Sequence, residues 1–111
     1  ATDVAGGSHE SILRAMMHAI QASKLRWRLY DQDVAPLTFD QAFYIATMGG
    51  GEFFGKVGTF AAGYELDAVV LDDASLDHPQ PLSVRDRVER AVYLADDRNI
   101  TAKFVAGDQI F

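Results

Sequence analysis

An aspartate directly before Val4-Ala5-Gly6-Gly7 is the side chain of this 111-residue sequence whose context most suggests catalysis. Asp3 stands at what reads as a strand terminus leading into a helix, which is where barrel enzymes place catalytic residues. A carboxylate there can ligate a metal or take a proton from water. The spacing by itself favours a plainer role, that of a helix cap.

Three histidines invite a metal reading. His9 and His18 are nine positions apart on what reads as one helix, and at ~100° per residue they would face opposite sides and could not chelate together. His78 falls in a proline loop. All three read as surface or helix-end groups, with His9 kept open because it lies close to the glycine loop. The zinc-deaminase signature that pairs His-x-Glu with Pro-Cys-x-x-Cys is absent. Gly50-Gly51-Glu52-Phe53-Phe54-Gly55-Lys56 fits the first seven positions of a phosphate-binding loop. It fails because Val57 replaces the magnesium-binding Ser or Thr, Gly58 blocks a following helix, and the preceding run is helical. The acidic pairs Asp72-Asp73 and Asp96-Asp97 read as strand-end and helix-end solvation, since hard-cation sites need several oxygens converging from spaced positions.

The elements that must position these groups follow from periodicity. From Ser8 to Leu29 the residues Ile12, Leu13, Met16, Met17, Ile20 and Trp27 recur at helical spacing behind a Ser8 N-cap. Glu10 at its start, Lys24, Arg26 and Arg28 at its end, and a Glu10–Arg14 pair suit the helix dipole. After a polar connection over 31–36, Thr38-Phe39-Asp40-Gln41 has the capping-box form. The helix that starts there carries Ala42, Phe43, Ile45 and Ala46, and is expected to stop at Gly49-Gly50-Gly51, with at most one further turn over Glu52 to Phe54. Gly58 and Gly63 mark a turn, and Asp67-Ala68-Val69-Val70-Leu71-Asp72 reads as a short buried strand. A loop over 73–81 leads to a helix capped by Ser83, with Val84, Val88, Ala91 and Val92 as its stripe and its end near Asp96. Ile100, Ala102 and Phe104 alternate, and Gly107-Asp108 before the terminal residues signals a hairpin.

Composition bounds the partners. A formal charge of −6 argues against a phosphate-backbone footprint. No apolar run approaches the roughly 20 residues that cross a bilayer, and no targeting segment opens the chain. Zero cysteines exclude disulfides and thiolate metal sites, which fits a cytoplasmic setting. Nearly half of the residues are hydrophobic (49%), enough for one small core. Three helices beside two to four strands close neither a barrel nor a sandwich. Because the sequence opens on Ala1 without methionine, it is expected to be a piece of something larger.

The segment Thr2-Asp3-Val4-Ala5-Gly6-Gly7 with Ser11-Ile12-Leu13-Arg14-Ala15-Met16 resembles the last barrel strand and helix of guanine deaminases, in the amidohydrolase superfamily. Leu37-Thr38 with Ala42 to Gly50 resembles the next helix of that family, and Gly58-Thr59-Phe60 with Gly63 to Val70 its return to a small β-domain. Tyr93 to Ile100 resembles the family's tail, and Val105-Ala106-Gly107 its final hairpin. The Gly58 to Val70 pattern is shared with chlorohydrolases and cytosine deaminases. Asp96-Asp97-Arg98-Asn99 together with the Asp3 motif points more narrowly to guanine deaminases.

The resemblance implies an α/β fold, the C-terminal portion of a metal-dependent amidohydrolase. Residues 1–57 would supply the last βα element of a TIM barrel and the following helix. Residues 58–111 would return to a composite β-sandwich domain. It further implies that Asp3 binds a catalytic zinc and shuttles protons while guanine is hydrolysed to xanthine and ammonia. The implied partners are the remainder of the chain, a small purine substrate and a second copy in a homodimer, with neither nucleic acid nor membrane. The family's zinc-binding histidines, general-acid glutamate and guanine-recognising residues have no counterpart in this sequence, so the piece alone is expected to bind no zinc tightly and to be inactive. Ser8-His9-Glu10 departs from the aromatic or hydroxyl-rich residues expected after the two glycines. Another amidohydrolase activity, or a non-catalytic scaffold or dimerisation module, is the alternative.

Overall fold

The computed structural model describes residues 2, 3 and 5–111. Three helices and one small antiparallel sheet make up the fold, in the order α1 (Ile12–Leu29), α2 (Phe39–Tyr44), β1 (Ala68–Leu71), α3 (Val84–Leu94), β2 (Ile100–Val105) and β3 (Asp108–Gln109).

Helix α1 starts three residues later than its periodicity suggests. Ser11, not Ser8, is the N-cap, with its hydroxyl accepting from the Arg14 amide at 3.5 Å. The sequence holds two serines at this boundary, and the tertiary structure gives Ser8 another partner. Glu10 therefore lies outside the helix, and among the described residues the expected Glu10–Arg14 pair does not form. Met16 and Ile20 on one face of α1 are buried. The connection to α2 is pinned to α1 by Ser23, whose hydroxyl donates to the Ile20 carbonyl at 2.7 Å and accepts from the Leu37 amide at 2.9 Å.

Helix α2 opens with the expected capping box, Thr38 and Gln41 each satisfying an amide of the other. The helix ends within the expected glycine run, at Gly51, with a turn over 52–54 after it. The chain reaches that end through a π-helical turn, Ile45–Gly49. Thr47 donates its hydroxyl to the Phe43 carbonyl at 2.7 Å, competing with the regular backbone pattern there. The left-handed conformation is reached at Gly55 instead, followed by Gly58 and Gly63.

Ser83 caps α3 as expected. Val88, Ala91 and Val92 face inward, but Val84 is 74% exposed and takes no part in the core. Met16, Ile20, Phe39, Ala42 and Val92 form that core, flanked by Leu13, Leu37, Ala46, Val88 and Tyr93. Arg85 fastens α3 to α2 from outside. It forks onto Asp40 with two bonds of 3.0 Å and lies 5.2 Å above the Phe39 ring.

The sheet has the order β1-β2-β3, with Ala68 opposite Phe104 and Val105 opposite Asp108. The hairpin turn is Ala106-Gly107, one residue earlier than expected, and both residues are left-handed at φ of 50° and 89°. Strand β1 is an edge and is not buried, with Val69 56% exposed.

Asn99 joins helices to sheet. It is 8% exposed, and its side chain donates to the Asp72 carbonyl (2.9 Å) and Ser75 Oγ (3.0 Å) while accepting from the Asp96 amide (3.0 Å).

Candidate active site around Asp3

The residues after Asp3 are small, so backbone geometry and hydrogen bonds rather than apolar packing set the shape of this segment. Val4, at the centre of the motif, and Ala1 lie outside the described residues. Asp3 and Ala5 both have positive φ, 49° and 84°. Aspartate tolerates this region, whereas for alanine it is strain on the order of 1–3 kcal/mol, of the kind that clusters at functional sites. The Asp3 carbonyl accepts from the Gly6 amide at 2.9 Å and also from the Gly7 amide, closing the turn on Asp3 itself.

Two glycines make this possible. A Cβ on Gly7 would run into the Thr2 carbonyl oxygen and stand 3.0 Å from that of Asp3, and backbone atoms cannot step aside. A Cβ on Gly6 would stand 2.6 Å from Asp3 Oδ2, so the carboxylate leans across a bare Cα. Asp3 is exposed, and no other described residue binds its carboxylate. It does not cap α1, because Ser11 does.

Residues 8–10 then bend into α1, held by two side chains of that helix. Ser8 Oγ lies 3.2 Å from His18 Nδ1, and Arg14 Nη1 lies 2.9 Å from His9 Nε2. The His9 and His18 rings are 6.4 Å apart, which overturns their expected placement on opposite faces: His9 precedes α1 and folds back along it. The sequence pattern pairs Arg14 with Glu10 and sets His18 across the helix from His9, whereas their partners are His9 and Ser8. The signal was the second serine, which moves the helix start past His9.

The remaining acids are structural. Arg98 grips the Asp96 carboxylate, with Nη2–Oδ2 at 2.6 Å, and holds its pKa below the ordinary 3.8, with smaller pulls from the Arg98 amide and the Arg14 charge. The Arg87 guanidinium likewise lowers Asp73, at 2.7 and 2.9 Å. Asp72 Oδ1 accepts from the Ala74 amide. His78 binds the backbone of Gln80 in a shallow hollow whose arginines are already engaged, Arg87 by Asp73 and Arg90 by the Leu76 and Asp77 carbonyls. Gly50 and Gly51 belong to a helix end, not to a loop after a strand, so the phosphate-loop reading fails as anticipated.

Among the described residues no three His, Asp or Glu side chains converge as a metal site. Zinc sites use three or four ligands. Asp3 fits the part of a single carboxylate donor, and the described residues do not complete the set.

The model of the amidohydrolase family matches residues 1–110. The chain belongs to the amidohydrolase family. This amidohydrolase chain is similar to the guanine deaminase of Dictyostelium discoideum, 31% identical over 98% of the chain and 26% of that protein. With the human guanine deaminase the identity is 32%, over 98% of the chain and 26% of the relative. In three dimensions it superimposes on the guanine deaminase of C. acetobutylicum, solved with guanine in its active site, with a TM-score of 0.93 and 41% identity over the whole chain and 26% of that structure. The chain thus spans about a quarter of the length of the relatives it matches.

Proposed function

We propose that this chain is the C-terminal portion of a zinc-dependent guanine deaminase, which hydrolyses guanine to xanthine and ammonia. Likeness to guanine deaminases in both sequence and backbone path, running from end to end of the chain, carries the reading. Residues 1–57 would contribute the last βα element of a TIM barrel and the helix after it, and residues 58–111 the return to a small β-sandwich.

Asp3 is the residue assigned to chemistry. When bound, zinc would lower the pKa of a coordinated water to about 7. Asp3, as one ligand, takes the water proton at a carboxylate oxygen and returns it to the departing amino nitrogen. The exposed carboxylate suits this, because an acid held by an arginine, as Asp96 is, would be a poor proton acceptor. The remaining zinc ligands and the purine pocket belong to the rest of the enzyme.

The test is ammonia and xanthine release from guanine by the full-length protein, with and without chelation and zinc return. Turnover of cytosine but not guanine would move the chain to another amidohydrolase activity. The 111-residue chain by itself should release no ammonia and retain no stoichiometric zinc. One tightly held zinc per isolated chain would overturn the reading that one carboxylate is all this piece contributes.

A further inference from the structure

The described residues between Thr2 and Glu10 are exposed or half-buried and none has a large apolar side chain, so among them polar contacts make the ties to α1. Two ties run from the body of α1 to them, Ser8 to His18 and His9 to Arg14. The second constrains chemistry as well as position. A guanidinium has only donors, so the bond at 2.9 Å requires His9 Nε2 to present a lone pair, with the imidazole neutral and its proton on Nδ1. Arg14 in turn feels the acidic turn behind it, since its charge helps to hold Asp96 ionised.

We infer that Arg14 and His9 form a positioning latch for Asp3. Arg14, one turn into α1, holds His9, and His9 fixes the exit of the glycine turn that closes on the Asp3 carbonyl. The inference rests on the role proposed for Asp3, and neither latch residue is a catalytic one. Among the described residues the charged and titratable groups facing His9 are Arg14 and His18 of α1, with Asp96 beyond Arg14 and Glu10 beside it in the chain. A ring that donates at Nε2 would aim its proton at a cation, so the latch depends on the acceptor that Nε2 presents to Arg14.

The experiment uses the full-length protein with guanine as substrate. Arg14→Met and His9→Leu should each lower kcat by about 5- to 20-fold with KM nearly unchanged, and the double variant should be no worse than either single one, because the two act as a unit. His9→Gln, which keeps an acceptor for the Arg14 guanidinium, should recover most of the rate. A readout apart from turnover is the nitrogen spectrum of labelled histidines: His9 should show an unprotonated Nε2, and Arg14→Met should return it to the usual tautomer mixture.

Full activity in His9→Leu, additive losses in the double variant, or a protonated Nε2 at neutral pH would overturn the latch. Asp3→Asn separates this from the parent reading. If that variant is inactive while the latch variants are normal, the latch alone fails. If it retains turnover, the role of Asp3 fails, while the tautomer measurement still tests the His9–Arg14 bond.

Discussion

Asp3 and Asp96 are both aspartates in tight turns beside helices, and their carboxylates are partnered in opposite ways. Asp96 caps the short turn Asp97–Asn99 and is gripped by Arg98, so every lone pair it offers is directed at its own neighbourhood. Asp3 gives its backbone carbonyl to Gly6 and Gly7, and its carboxylate lies exposed over a glycine. Partnering, not residue type, separates a carboxylate that holds a fold from one available to a metal or a proton.

The largest expected effect comes from erasing that difference at Asp3. Asp3→Asn in the full-length protein keeps size and polarity but removes the charge and the proton acceptor. Guanine turnover should fall by ~10²- to 10⁴-fold, mainly in kcat, with the melting temperature nearly unchanged. Near-normal turnover would put Asp3 on the same footing as Asp96.

The structural turn should respond in stability instead. Asn99→Ala strips a buried side chain of three hydrogen bonds and strands the Asp96 amide. At about 1 kcal/mol for each bond, with a further penalty for an unpaired buried donor, the loss should be on the order of 2–4 kcal/mol. Denaturant unfolding of the full-length protein measures it, and a change under about 0.5 kcal/mol would mean that solvent replaces Asn99 without cost.

A smaller effect lies in the acid range. Asp96 and Asp73 both have folded pKa values lowered below 3.8, chiefly by Arg98 and Arg87 respectively. A depressed folded pKa contributes stability that is fully present above the unfolded value and is lost as pH falls through the folded one. The protein should therefore lose stability progressively below about pH 4. Asp96→Asn, which can still cap through its side-chain oxygen, should make the slope of stability against pH shallower there. An unchanged slope would show that Arg98 solvates freely instead of holding Asp96.

Much of this was legible from local sequence, and the gaps are tertiary. The Thr38–Gln41 capping box and the Ser83 cap form where their side chains predict, because both ends of each bond lie within four residues. The start of α1 was not legible: Ser8 and Ser11 compete for one cap, and the winner is decided by His18, ten residues away from Ser8. The proximity of His9 and His18 followed from that shift. Asn99 was passed over as part of an acidic tail, although its position three residues after Asp96 carries the form of a capping box. For the site, the Asp-x-x-Gly-Gly pattern marked Asp3, but the strain at Ala5 belongs to backbone conformation and has no signature in an alanine.

The smallest effect concerns that strain, for among the described residues alanine stands left-handed twice, at Ala5 beside Asp3 and at Ala106 in the β2–β3 hairpin. Ala106-Gly107 is a two-residue turn with positive φ at both positions, a geometry for which Asn-Gly is the favoured pair. The hydrogen bonds there are made by backbone amides: Ala106 N donates to Asp67 Oδ1 and Gly107 N to the Leu66 carbonyl, both at 2.9 Å. Ala106→Asn keeps both and relieves only the torsion, so it should stabilise by about 0.5–1 kcal/mol, with turnover unchanged. Ala5→Gly relieves the same kind of torsion at the other turn, but there a relaxed backbone also lets Asp3 wander. It should lower kcat by a few-fold whatever it does to stability, an estimate from the sensitivity of catalysis to small misplacements. Calorimetry and guanine turnover on the two full-length variants distinguish the cases. If Ala5→Gly left turnover unchanged just as Ala106→Asn does, the strain beside Asp3 would be a by-product of the tight glycine turn and not a device that aims the carboxylate.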